Sequence, residues 1–239
     1  NESITRLSTG IRSMYGGDAA GQSLANSLGS KGASFAVAAR NAEDGISFLQ
    51  SAESVLLEMA ALTTRLRELG VQYANNGLLT LTDEAALNAE AIAIGDALLS
   101  VASNTTFNGV VMVGNATAIE VGINDAGDTA TIGTATSIAN ANMGDITGAN
   151  GVDGSADTAL GSIATSLGNV AAGMVSLKGY QAVASNSAAN LKAAAARIQD
   201  TDFALETANL TKASVLNQSA MAMVAQANQA QNAILAVIQ

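Results

Sequence analysis

Cysteine, histidine, proline and tryptophan are all missing from this chain of 239 residues. Without Cys or His there is no thiol nucleophile, no disulfide, no imidazole general base and none of the usual zinc ligand sets. A metal could be held only by carboxylates, and no cofactor is expected. Lack of cysteine suits either side of a cell envelope. Lack of proline leaves helices free to run long. Aromatic residues make up 3% of the chain while 49% is hydrophobic, with alanine dominating that set. Ala-rich helices pack closely but bury little area each, so stability has to come from long shared interfaces. The length allows one large domain or two small ones.

Positive charge is scarce as well: 10 Lys and Arg stand against 20 Asp and Glu, a net charge of −10. No basic residue falls between Arg67 and Lys178, an interval that carries carboxylates from Glu68 to Asp157. A chain without a basic patch has nothing to displace counterions from phosphates, which argues against nucleic acid as a partner. The acidic surface favours solubility. No unbroken run of 18 apolar residues occurs and no signal peptide opens the chain, so membrane insertion is not expected.

What is present is helical periodicity. Ile163, Leu167, Val170, Met174, Leu177, Gln181, Ala184, Ala188, Leu191, Ala195 and Ile198 step by four and three without a slip. At 1.5 Å per residue that seam is about 54 Å long, and its regularity predicts packing along another helix. The partner is sought near the N-terminus. There a helix is predicted from about Gln22 to Arg40, and a second is predicted to start at the capping and acidic group Asn41, Glu43 and Asp44. Its stripe is Leu49, Ala52, Leu56, Met59, Leu62, Leu66, Leu69 and Tyr73, with a three–three step around Met59 that reads as a stammer. Asn75–Gly77 ends it. A further helix restarts at Thr82–Glu84, with Leu87, Ala91, Ile94, Leu98 and Val101 on one face, and closes at Asn104–Gly109.

Between 110 and 133 the period shortens toward two. Ile119, Val121 and Ile123 alternate, Asn124–Asp128 has turn chemistry, and Thr129–Ile132 returns, predicting a small β-hairpin. Residues 134–157 are expected to form a loop-rich connection. The expected organisation is an N-terminal rod part with the hairpin over 1–133, the connection, a rod helix over 158–200 and a terminal helix over 201–239. The fold class is mainly α, an antiparallel helical bundle or coiled-coil rod built from both ends of the chain. Ser214–Gln239 has no charged residue, so its apolar face suits burial against copies of itself or a partner.

Several blocks together resemble bacterial flagellin: Arg6–Arg12 with Gly17–Gln22, Arg40–Ser47, Arg65–Gln72, Thr106–Gly109, Ala196–Phe203 and Val224–Gln229. Any one is weak, but six in the family's order make the match specific. The resemblance implies a non-enzymatic, self-assembling subunit of the extracellular flagellar filament that carries motor torque as propulsion. It also implies that the variable outer domains, which would lie in 134–157, are effectively missing. Because the chain opens at Asn1 in mid-pattern, most of the N-terminal inner axial segment is expected to be missing too, leaving the terminal helix without its partner and polymerisation blocked. Three kinds of partner are implied. Other flagellin subunits are the first. A secretion chaperone would hold the terminal helix in the cytoplasm before export, through Leu205, Leu210, Val215, Leu216, Met221, Val224, Ile234 and Leu235. Toll-like receptor 5 would recognise the rod where Arg65, Leu69 and Glu90 match the family's recognition positions. A hook–filament junction protein and a cell-surface binding protein on the same scaffold stand as alternatives.

Overall fold

The structure is a computed structural model that describes residues 2–12, 18–113, 119–133 and 151–238; side chains at 151–153 and 233–238 lie outside that description. In chain order the elements are α1 (Glu2–Thr9), α2 (Ala19–Tyr73), α3 (Leu81–Asn104), β1 (Thr106–Phe107), β2 (Val110–Val111), β3 (Ile119–Gly122), β4 (Thr129–Ile132), α4 (Gly151–Gln199) and α5 (Phe203–Ile238). The chain divides into two compact units, one from residues 1–32 with 189–239 and one from residues 33–188.

The unit of residues 33–188 is built on α2, α3 and α4. The expected break at Asn41 does not occur, and α2 is one helix of 55 residues. Neither proline nor a helix-ending turn interrupts it, and Asn41 is no cap, since its side-chain amide donates to the Gly122 carbonyl at 3.5 Å. Burial along α2 then runs Ala42, Gly45, Leu49, Ala52, Leu56, Met59, Thr63, Leu66 and Gly70, alternating three and four throughout. The stammer is therefore absent. Thr63, fully buried, takes the seam position assigned to Leu62, which is only half-buried. A polar residue can sit there because the Thr63 hydroxyl donates to the Met59 carbonyl at 2.7 Å, leaving no unpaired group in the core.

The seam of α4 is also corrected. Ile163, Val170, Leu177, Ala184 and Ala188 are buried as expected, but Leu167 and Met174 are half-buried flanks. Ser166 is buried instead, with its hydroxyl donating to the Ser162 carbonyl at 3.1 Å. The inner positions step three and four from Ala156 through Gly173 to Leu177, then four again to Gln181. Such a stutter locally unwinds a left-handed supercoil. Because α4 begins at Gly151, residues 151–157 are helix rather than loop; residues 134–150 of the expected connection lie outside the described residues.

The two distant stretches do lie side by side. A Cβ added at Gly45 of α2 would stand 2.8 Å from Leu177 Cδ1 of α4, and one at Gly173 of α4 would stand 3.0 Å from Leu49 Cδ1 of α2. Glycine on each helix thus receives a leucine from the other, in antiparallel order. The predicted hairpin forms from β3 and β4, paired antiparallel with Ile119 opposite Ile132 and Gly122 opposite Thr129. It rests on the same two glycines, with Val121 3.1 Å from the Gly45 position and Ile132 3.6 Å from that of Gly173. Its turn is organised by Asn124, whose side-chain oxygen accepts from the Ala126 and Asp128 backbone N–H groups, both at 3.0 Å.

A capping box starts α3: the Thr80 hydroxyl accepts from the Asp83 N–H while the Asp83 carboxylate accepts from the Thr80 N–H at 3.0 Å. The Thr80 hydroxyl also donates to the Asp83 carboxylate at 2.7 Å, and that bond first, then the one from the Thr80 N–H, holds the Asp83 carboxyl below its ordinary pKa. After α3 the chain makes a second, smaller hairpin, β1–β2, through Asn108 (φ 49°) and Gly109 (φ 80°). That is the left-handed pair a two-residue hairpin turn requires.

In the unit of residues 1–32 with 189–239, α1 packs on α5 and the α4–α5 junction is pinned by the segment after α1. Gly10, at φ 71°, turns the chain so that Ile11 bridges Asp200 antiparallel.

Candidate functional site

The two ends of the sequence meet at the α4–α5 junction. The Thr201 N–H donates to the Gly10 carbonyl at 2.9 Å, and the Arg12 N–H donates to the Gln199 carbonyl at 2.8 Å. The Arg12 guanidinium donates to the Ile198 carbonyl at 3.2 Å, near the end of α4, where a cation also complements the helix dipole. It reaches Asp18 at 2.8 Å, and Asp18 in turn accepts from the Gly21 N–H at the start of α2. Asp202 starts α5 by accepting from the N–H groups of Ala204 at 3.0 Å and Leu205 at 3.2 Å. Glu206, buried, faces Arg6 at 3.8 Å. Blocks 6–12 and 196–203, quoted above from opposite ends of the sequence, thus form one clasp.

Beyond the clasp, α5 is bare. Every residue from Thr211 to Asn232 is exposed, and no charged residue follows Lys212. Of the residues expected to make its binding face, Leu205, Val215, Leu216, Met221 and Val224 are exposed and Leu210 is half-buried. Ile234 and Leu235 lie where side chains are outside the described residues. A helix exposed on every side yet lacking charge is an incomplete structure in water, because nothing compensates its apolar surface.

The expected receptor residues separate in depth. Arg65 of α2 and Glu90 of α3 form an ion pair at 2.7 Å, and Arg65 also reaches Glu68 at 3.2 Å. The hydrogen bond to Glu90, then that to Glu68, raises the Arg65 pKa above its ordinary value. Glu68 was missed in the sequence, although its spacing three residues after Arg65 is that of a helical ion pair. Leu69, by contrast, is fully buried and presents no surface; it supports the site from behind. Arg67 turns the other way and pairs with Asp157 of α4 at 2.6 Å. These exposed pairs contribute little stability, but they tie α2 to α3 on one side and to α4 on the other.

Long helices stacked along heptad seams, chain ends clasped together and an uncovered helix define a class: a structural subunit that assembles with copies of itself. Comparison with known proteins agrees. Residues 1–118 match the bacterial flagellin N-terminal helical region and residues 151–238 the bacterial flagellin C-terminal helical region. The flagellar filament 33 kDa core protein of Treponema phagedenis is 33% identical over 272 residues, covering 99% of this chain and 91% of that protein. A flagellin of Bacillus subtilis is 31% identical over 281 residues, covering 99% and 92%. The crystal structure of Bacillus cereus flagellin is similar with a TM-score of 0.44 and 22% identity, covering 64% of this chain and 88% of that one.

The chain belongs to the bacterial flagellin family. It is a structural subunit of the extracellular flagellar filament, not an enzyme, and it assembles with other flagellin subunits. Flagellins that match 99% of the chain weigh against both the junction-protein and the surface-binding alternatives.

Proposed function

We propose that α5 is held in turn by two kinds of partner: a secretion chaperone before export, and neighbouring subunits inside the filament afterwards. One observation carries this reading, the exposure of residues 211–232 on every side of a helix with no charge beyond Lys212. Burying each of Val215, Leu216, Met221 and Val224 is worth about 1.5–3 kcal/mol before the costs of association are subtracted. The test is the pair Leu216→Asp and Val224→Asp. Neither side chain is buried in the chain, so circular dichroism and the thermal midpoint of the soluble subunit stay unchanged. Affinity for the chaperone falls by at least roughly tenfold, as for central apolar anchors of an interface, and filament yield collapses. Unchanged affinity together with normal filaments defeats the reading.

A second reading concerns recognition of the unpolymerised subunit by Toll-like receptor 5 at Arg65 and Glu90. Its support is that both side chains are accessible and already oriented by their mutual bond, so little ordering cost remains on binding. Arg65→Ala is expected to weaken activation of a receptor reporter by about tenfold, the scale of a single Arg anchor. Leu69→Ala weakens it only in proportion to the helix packing it disturbs. If the unsubstituted chain fails to activate cells that respond to a standard flagellin, the reading falls.

A further inference from the structure

The chain has seven methionines and no cysteine, so a thioether is the sulfur that an oxidant meets. Met59 and Met112 are buried in the core of the unit of residues 33–188, and Met174 of α4 is half-buried. Met14 and Met143 lie outside the described residues. Met221 and Met223, both on α5, are 61% and 71% exposed, and they are the two bare thioethers among the described residues.

Their place on the helix gives that exposure a consequence. Leu216, Ala220, Met223 and Ala227 step four, three and four along one stripe of α5, and Met221 shares the neighbouring stripe with Val224. A partner that covers α5 through its apolar residues therefore covers a thioether on either stripe. The thioethers suit such a contact, being flexible, polarisable and able to fill irregular gaps. Their sulfoxides do not. The sulfoxide oxygen is a strong hydrogen-bond acceptor, and no side chain of Leu216, Ala220 or Ala227 can donate to it. No cation follows Lys212 in the chain to pair with it either.

We propose that Met221 and Met223 form an oxidation site that decides whether a subunit enters the filament. A peroxide attacks the thioethers while α5 is uncovered. The sulfur lone pair takes one peroxide oxygen, an S–O bond forms as the O–O bond breaks, and with hydrogen peroxide the other oxygen leaves as water. Sulfur is oxidised and the peroxide is reduced. The sulfoxides make α5 too polar to bury, so the oxidised subunit stays out of the polymer. In an assembled filament the neighbouring subunits shield both sulfurs. Methionine sulfoxide reductases reverse the change, which makes it a switch rather than a lesion. The proposal rests on the burial of α5 argued above and adds a covalent control to it.

Hydrogen peroxide on purified flagellin tests it. Filaments sheared from the bacterium that makes this chain are dissociated by gentle heating, and peptide mass spectrometry follows oxygen addition at each methionine. In free subunits Met221 and Met223 gain oxygen at least roughly tenfold faster than Met59 and Met112, and in intact filaments they slow by about tenfold. Oxidised subunits added to filament seeds polymerise to about a tenth of the untreated yield. Sulfoxide reductases acting on both epimers bring most of that yield back, a readout that needs no substitution. A chain carrying Met221→Leu and Met223→Leu, measured against its own untreated sample, loses less than about twofold under the same peroxide dose. The proposal is overturned by full polymerisation of oxidised subunits, by equal oxidation of buried and exposed methionines, or by a double-leucine chain as sensitive as its parent. Leu216→Asp and Val224→Asp, assayed without oxidant, judge the α5 reading separately: if they block filaments while the sulfoxides do not, only the oxidation site falls.

Discussion

Gly45→Val lowers the unfolding midpoint of the unit 33–188 by about 4–10 °C, from a destabilisation of about 2–3 kcal/mol. Even the Cβ alone would stand 2.8 Å from Leu177 Cδ1 and 3.1 Å from Val121 Cγ2, and valine adds two methyls to that space. Leu177 is fully buried and cannot swing out without opening a void elsewhere, while Val121 is fixed by the strand pairing of β3 with β4. Helix propensity favours valine over glycine by only a few tenths of a kcal/mol, about a tenth of the overpacking cost. The same helices supply their own controls. At Gly173 a Cβ would press on the end of Leu49 at 3.0 Å and make ordinary contact with Ile132 at 3.6 Å, so Gly173→Ala is nearly neutral once a propensity gain of about 1 kcal/mol is counted. Gly161 faces open space, and Gly161→Ala raises the midpoint. A thermal melt that ranks Gly161→Ala below Gly45→Val would show that the reciprocal glycine–leucine packing does not hold the helices and hairpin together.

The readable part of the fold was the part with a long period. The stripe Leu49, Ala52, Leu56, Met59, Leu66 and Leu69 was found because each member is apolar and the spacing persists, and all six are fully buried. The β3–β4 hairpin is legible because Ile119, Val121 and Ile123 alternate ahead of the Asn124–Asp128 turn. Thr63 and Ser166 were not legible, because a search for apolar residues skips a hydroxyl that satisfies itself on the preceding turn. Asn41 misled in the opposite way: amide and acidic residues are the chemistry of a helix start, but here Asn41 serves the hairpin carbonyl of Gly122 in mid-helix. The short β1–β2 hairpin turns on Asn108–Gly109, a pair whose chemistry fits the end of a helix as well as a two-residue turn.

The clasp between Gly10–Arg12 and Gln199–Thr201 lay beyond any local pattern, since its partners are almost the whole sequence apart. Only the family resemblance hinted that these blocks matter, and it did not say that they touch. Among the candidate site residues, the pairing of Arg65 with Glu90 and the burial of Leu69 likewise needed three dimensions. Sequence spacing put Arg65 and Leu69 on neighbouring turns, and only packing against the bundle turns one outward and the other in. The apolar character of α5 was legible in full, because missing charge is a property of composition and does not depend on what the helix touches.

Thr63→Asp is the sharper test of the continuous seam. Thr63 is fully exclusive of solvent, and a carboxylate there has no basic residue within the inner positions of α2, which run Met59, Leu66 and Gly70 around it. An unpaired buried charge of this kind costs more than about 3 kcal/mol. Thr63→Val, which keeps the shape and removes only a hydroxyl bonded to a carbonyl of its own helix, stays within about 1 kcal/mol of the parent. Leu62→Ala costs about 1 kcal/mol, because Leu62 flanks the seam half-buried and its loss leaves little cavity. The stammer predicts the reverse order, with Leu62 at the interface and Thr63 outside it. Urea titration of the three variants separates the two arrangements. If Thr63→Asp is tolerated to within about 1 kcal/mol while Leu62→Ala is not, the helices of this flagellin meet along a broken stripe and the unbroken heptad register of α2 is wrong.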